Sequence, residues 1–369
     1  MKDNLNNEQK LLLLAGRYTF SENEVNELRE LVNNELDWSL LYGMAIRHKM
    51  LSLLWYNLNK YCPKIRINSQ YRQVANFHYM GTKLRNEEYL KNYNKIRMAC
   101  KERGVYIYPT KGGYLLPELY KDFGVRTIND VDSLVRAQDI QILRNVLNSL
   151  GYIEGEYDRT TKEIKPVVRQ KQIMWAQKSS NLFPFQKISN SPYIEHFDYD
   201  FCYSFNRSTA PVTDIINRSV KEGLKYLKHS DFFVHLCYHL FREASSAVAI
   251  LYQVDINIIK FCDIREFLIN KMNKNDCLEA INFAKKYELE NSLYYTLHYL
   301  IEMYNDEIAK WMFEELNMSN TEILKQYGNT DFMEPREWSK SFWVRLFANN
   351  NKDEIKDIPN FISNVYKYY

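Results

Sequence analysis

Two aspartates one residue apart, Asp130 and Asp132, open the apolar run Val131-Asp132-Ser133-Leu134-Val135. A strand is predicted over 130–135, and its period of two turns both carboxylates to one face. Like charges on one face repel unless a cation lies between them. Mg²⁺ suits that place, because it takes one or two carboxylates and completes its shell with water and substrate phosphates. A bare Asp-x-Asp is more often a solvated strand end, so its surroundings decide. Upstream, Lys111-Gly112-Gly113 follows the β-branched and aromatic run Val105-Tyr106-Ile107-Tyr108-Pro109. A glycine turn between strand and helix lets backbone amides approach phosphate oxygens, and Lys111 adds a charge beside it. Arg126, four residues before Asp130, carries a planar fork that fits a phosphate or a carboxylate; closing a helix C-terminus at the surface is its other use.

These residues need a scaffold, and the chain supplies three textures. From Glu8 to Gly104 it reads as successive helices, with a capping-box signal at Ser21 and Glu24 and a solvated, charged face over 80–103. From 104 to 206 it reads as strand, glycine turn, helix (114–120), strand, helix (138–150), then weaker strands near 153–157 and 173–176. A loop holding Asn181 and Pro184 follows, and then the alternating strand Tyr193–Phe201. After Arg207 helical periodicity returns at 232–244, 256–271, 276–287 and 292–304. The predicted fold class is therefore α+β, a small mixed-sheet core over 104–206 between helical regions at 1–103 and 207–369.

Composition agrees and excludes alternatives. Eleven glycines and nine prolines in 369 residues are about half the average usage of ~7% and ~5%, which disfavours turn-rich barrels and sandwiches. The formal charge of +3 is too weak for a large nucleic-acid footprint. Six scattered cysteines without a CxxC pair are expected as reduced core thiols of a cytoplasmic protein. No apolar run approaches the ~20 residues of a membrane span, so no membrane partner is expected.

Taken in order, Lys111-Gly112-Gly113, Arg126, Asp130-Val131-Asp132-Ser133-Leu134-Val135 and the later Gly151-Tyr152 resemble the uncharacterised nucleotidyltransferases of the DNA polymerase β-like superfamily. His235-Leu236-Cys237-Tyr238-His239-Leu240-Phe241 and Lys260-Phe261-Cys262-Asp263-Ile264 resemble that family's helical signatures. The likeness runs from about Gly104 to about Leu268. It implies an Mg²⁺-dependent enzyme that moves a nucleoside monophosphate, AMP from ATP foremost, to a small-molecule or peptide acceptor with release of pyrophosphate. It also implies that Asp130 and Asp132 hold metal, that Lys111, Gly112, Gly113 and Arg126 meet the nucleotide, and that Lys260 is a further triphosphate ligand. A third carboxylate is expected from a neighbouring strand, and the family places one two residues before a His followed by an aromatic. Matching His196-Phe197 to that pattern leaves Ile194 at the carboxylate position. Matching Phe197-Asp198-Tyr199-Asp200-Phe201 selects Asp198, with Asp200 and Glu195 in reserve.

The rival class is a binding protein, a degenerate member that holds nucleotide or a partner protein, antitoxin-like, without turnover. A glycosyltransferase using Asp-x-Asp is disfavoured by the lack of a large α/β domain ahead of the motif. His235, His239 and Glu243 share a helix edge at i, i+4 and i+8, but their apolar neighbours mark a packing helix. The basic stretch Arg159–Lys171 reads as a solvated hairpin, with a lid over the substrates as the alternative.

Overall fold

The computed structural model describes residues 4–205, 207–328 and 334–355. Helices α1 (Asn7–Leu14), α2 (Glu22–Asn33), α3 (Trp38–Arg47) and α4 (Leu51–Tyr61) lead into the long α5 (Ser69–Glu102). Next come β1 (Tyr108–Pro109), α6 (Lys111–Leu115) with a π-helical extension Leu116–Tyr120, β2 (Val131–Leu134) and α7 (Ile140–Ser149). They are followed by β3 (Ile153–Asp158), β4 (Glu163–Pro166), α8 (Arg169–Lys178), β5 (Phe185–Ile188), β6 (His196–Cys202) and α9 (Ala210–Lys221). Helices α10 (His229–Ala244), α11 (Ala247–Leu251), α12 (Ile258–Lys271), α13 (Lys274–Lys286), α14 (Glu290–Tyr304) and α15 (Glu307–Leu316) complete the helical part. A short ladder, β7 (Gln326–Tyr327) with β8 (Arg336–Glu337), and α16 (Phe342–Phe347) close the description. The fold is thus α+β, with one mixed sheet among many helices.

The chain divides into two compact units, Met80–Phe232 and the described residues of Met1–Tyr79 with Phe233–Tyr369. The first holds a six-stranded sheet in the order β1-β2-β6-β5-β3-β4. Strands β2 and β6 run parallel, and the other neighbours are antiparallel. Side-chain alternation gives this sheet two faces. On one face, Tyr89 and Tyr93 of α5 cover β2 and β6: Tyr89 meets Phe197 edge-on at 5.3 Å, and the Ser133 hydroxyl donates to the Tyr93 oxygen at 2.8 Å. The Tyr89 hydroxyl donates to the His196 carbonyl and the Tyr199 hydroxyl to the Tyr89 carbonyl, both at 3.1 Å. The other face carries Asp132, Asp198 and Asp200.

The second unit is helical. Its core is aliphatic and aromatic, with Leu11, Leu54, Phe261, Phe267 and Leu297 buried. The Ser21–Glu24 capping box is present at α2. No helix among the described residues is long and apolar enough to cross a membrane. All six cysteines are buried.

Several elements depart from the sequence expectation. Lys111, Gly112 and Gly113, expected as a turn ahead of the helix, form the first turn of α6. Residues 173–176, expected as a strand, lie inside α8, where the neighbouring Gln, Lys, Met and Ala are good helix formers. Only Tyr108 and Pro109 of the run from Val105 pair in the sheet. The Val105 N–H instead returns to the Cys100 carbonyl at 3.0 Å, across Gly104 at φ 71°, and so terminates α5. Strand β5 occupies part of what reads as loop; with only four residues, Phe185–Ile188, it shows too little alternation to announce itself.

Candidate active site

The parallel pairing of β2 with β6 sets Asp132 directly opposite Asp200, while Asp130 precedes β2. One carboxylate oxygen from each of Asp130, Asp132 and Asp200 lies within 4.8 Å of the others, the only metal-sized grouping of acidic, His or Cys side chains among the described residues. Asp198 is one step away on the same face of β6. There it accepts a 2.9 Å hydrogen bond from Nε2 of Gln186, its cross-strand partner on β5. His196, a further step along, stacks on Tyr157 at 4.4 Å.

Four acidic groups so close together perturb one another. Burial, followed by the charges of Asp198, Asp132 and Asp130, holds the Asp200 carboxyl well above the ordinary carboxylate range; Lys111 works against that rise. Burial and then Asp130 push Asp198 up to about 7. The Oδ1 atoms of Asp198 and Asp200 are buried without a hydrogen-bond partner. A buried carboxylate with an unanswered oxygen is costly, and a cation would answer it.

The described chain matches a known family over residues 34–305, well over half its length, by a model described as an uncharacterised nucleotidyltransferase. The chain belongs to that family. No curated protein and no solved structure matches it. The family match extends on both sides of the motifs that carry the sequence resemblance, from just ahead of α3 at one end through α14 at the other.

A nucleotidyltransferase implies a nucleoside triphosphate substrate and usually a divalent metal, and the acidic group fits one. An octahedral Mg²⁺ bonds oxygens at ~2.1 Å and so spaces them about 3 to 4.2 Å apart, inside the 4.8 Å limit met by these three residues. The buried, orphaned Oδ1 of half-buried Asp200 is a second sign of fit.

Lys111, Gly112, Gly113 and Arg126, which the sequence resemblance expects to meet the nucleotide, lie in the same unit as the acidic grouping. Thr110 ties the end of β1 to Asp132 by donating its N–H to the Asp132 carbonyl at 2.9 Å. Lys111 follows at φ 45°, and its Nζ reaches Asp132 Oδ2 at 2.8 Å. Gly112 and Gly113 are buried. A Cβ on Gly112 would run into the Ile128 side chain and the Arg126 guanidinium; one on Gly113 would lie 2.9 Å from Val131 and 3.0 Å from Pro109. The Gly113 N–H is bonded to the Thr110 carbonyl at 3.0 Å. Both glycines therefore serve close packing, and Gly112 in particular lets Arg126 approach the turn.

Sequence reasoning missed the residues that hold this loop. Asn86 of α5, fully buried, donates both Nδ2 hydrogens, to the Phe123 and Arg126 carbonyls at 2.7 Å each, and accepts from the Ile128 N–H at 3.3 Å. Its neighbour Arg85 donates to the Asn129 side chain at 3.1 Å and to its carbonyl at 3.3 Å. Together they clamp the segment that carries Arg126 and delivers Asp130.

Other anticipated residues are engaged elsewhere. Lys260 belongs to the helical unit. Its ammonium pairs with Glu243 and donates to the Val254 and Asp255 carbonyls at 2.8 and 3.3 Å. Glu243 also meets His239 Nε2 at 3.2 Å. The basic stretch includes β4, which forms a hairpin with β3; Lys165 of β4 pairs with Asp158 of β3, and Lys171, in α8, pairs with Glu156 of β3. Glu195 lies just before β6, out of the acidic grouping.

Proposed function

We propose that this chain is an Mg²⁺-dependent nucleotidyltransferase that moves a nucleoside monophosphate, AMP from ATP in the first instance, to a hydroxyl, carboxylate or amine of a small molecule or peptide. Pyrophosphate is the leaving group. The grouping of Asp130, Asp132 and Asp200 carries this reading, joined to the family membership.

In it, Asp130, Asp132 and Asp200 hold the metal, so Asp200 takes the place that the sequence assigned first to Asp198. When bound, Mg²⁺ neutralises charge on the triphosphate and on the attacking and leaving oxygens. Asp198 remains beside the ligands, oriented by Gln186, and is assigned the acceptor's proton. Arg126, held against Gly112, and Lys111 supply positive charge for the phosphates. Lys260 is left without a role because its ammonium is already committed to three oxygens.

The test is incubation with each nucleoside triphosphate, Mg²⁺ and panels of acceptors, read by mass spectrometry and pyrophosphate release. A mass gain of one nucleotide with matching pyrophosphate, both lost in Asp130→Asn, is expected. Turnover that survives Asp130→Asn would refute the mechanism. Triphosphate binding in calorimetry without pyrophosphate release from any acceptor would favour the nucleotide-holding protein instead.

A further inference from the structure

Lys111 has a backbone that its side chain disfavours. At φ 45° it lies in the left-handed region, where a Cβ crowds the following carbonyl and glycine is the easier residue. Glycine occupies the next two positions, yet position 111 is lysine. Strain of this kind persists where surrounding structure enforces it. Here the result is that the ammonium lands on Asp132 Oδ2 at 2.8 Å, with the two side chains only 21% and 12% exposed. Asp132 is one of the three carboxylates within metal-binding reach of one another, and the Lys111 charge is also felt at Asp200.

We infer that Lys111 is a resident counter-ion that occupies Asp132 in the absence of metal and is displaced only when metal arrives with its nucleotide, the ammonium then moving to phosphate oxygens. This rests on the function proposed above. A free divalent cation must compete with a tethered positive charge for the same carboxylate. A cation accompanied by triphosphate does not, because the phosphates accept the lysine on its flexible four-carbon stem. Metal and nucleotide therefore bind synergistically, and each tightens the other by the same factor. The device keeps the acidic group from collecting stray cations and reserves it for the charged substrate.

The probe is Mn²⁺, titrated into the full chain without and with a non-hydrolysable ATP analogue. Binding is followed by the loss of its free-ion electron paramagnetic resonance signal beyond the loss that the analogue alone causes in protein-free solution. Lys111→Met removes the charge and keeps the stem, so Mn²⁺ alone should bind it at least about tenfold more tightly than wild type. Lys111→Arg keeps the charge and should match the wild type. With the analogue present, the wild type should gain about tenfold or more in Mn²⁺ affinity, and Lys111→Met clearly less. Mn²⁺ binding to Lys111→Met no tighter than to wild type would overturn the inference. So would a wild type whose Mn²⁺ affinity does not respond to the analogue, a result that needs no variant to fold. A wild type that binds no Mn²⁺ even with the analogue would instead refute the proposed function.

Discussion

At the scale of single residues, the spacing of Asp130 and Asp132 is legible in the sequence, although only Asp132 lies within β2 and Asp130 directly precedes it. The third carboxylate is not. Asp198 and Asp200 share a face of β6, so alternation cannot separate them, and only the register that sets Asp200 against Asp132 does. The two make different predictions. Asp200→Asn should weaken Mn²⁺ binding in the presence of nucleotide by about a hundredfold or more, whereas Asp198→Asn should leave it within about threefold and lower the turnover rate instead. Equal losses of metal affinity in both variants would mean that all four aspartates act as one ligand set. Gly112 allows a second test, since packing against Ile128 and Arg126 leaves no space for a Cβ. Gly112→Ala should cost about 1–3 kcal/mol of stability in urea unfolding and raise the KM for nucleotide by displacing Arg126. A stable variant with an unaltered KM would show that Arg126 does not depend on that contact.

Elements bring these residues together through contacts that composition conceals. The charged face of α5 reads as ordinary solvated surface, yet Arg85 and Asn86 hold the loop between the π-helical turn and β2. Nothing in Asn86 marks it beforehand, because asparagine is common on helix surfaces and its partners lie 37 to 42 residues away. Asn86→Ala strands two carbonyls and an N–H in the interior. It should lower stability by about 2–4 kcal/mol and weaken both metal and nucleotide binding in the fraction that folds. Denaturant unfolding together with Mn²⁺ titration checks both; a loss of stability with unchanged metal affinity would reduce Asn86 to a purely structural clamp. Strands fared less well than helices in the sequence. A four-residue strand such as β5 offers two alternations at most, while the long helices repeat their apolar face for several turns.

At the scale of the whole molecule, the helical unit is made from both ends of the chain, and buried polar groups tie them together. His48, at the end of α3, accepts the Ile258 N–H on Nδ1 at 3.3 Å and packs its ring edge-on to Phe347 at 5.8 Å. Glu266 of α12 receives the Tyr18 and Thr19 N–H groups at 3.0 and 3.1 Å, and Arg265 bonds Asp306 at 2.8 Å. Burial is the main reason that the His48 imidazole is held down to about 3, against an ordinary 6.5. Between those values the unfolded chain binds a proton that the folded chain refuses, so stability must fall as pH drops from about 6.5 toward 3. His48→Gln, which cannot be protonated, should be less stable than wild type at neutral pH but show a flatter loss below pH 6.5 in thermal melts. An unchanged acid slope would assign acid sensitivity to other groups.

The sequence by itself determined the helical texture of the flanks, the α+β character of the middle, the acidic pair and the order of motifs that signals the family. Each of these depends on period or spacing within a few residues, which local backbone geometry translates directly into shared faces and turns. Tertiary structure decided which carboxylate joins Asp130 and Asp132, that Gly112 makes room for Arg126, that Asn86 holds the loop, and that Lys260 is occupied by Glu243. Those outcomes depend on strand register and on contacts between residues far apart in the chain, where a shift of two positions leaves every local pattern intact and changes which charges meet.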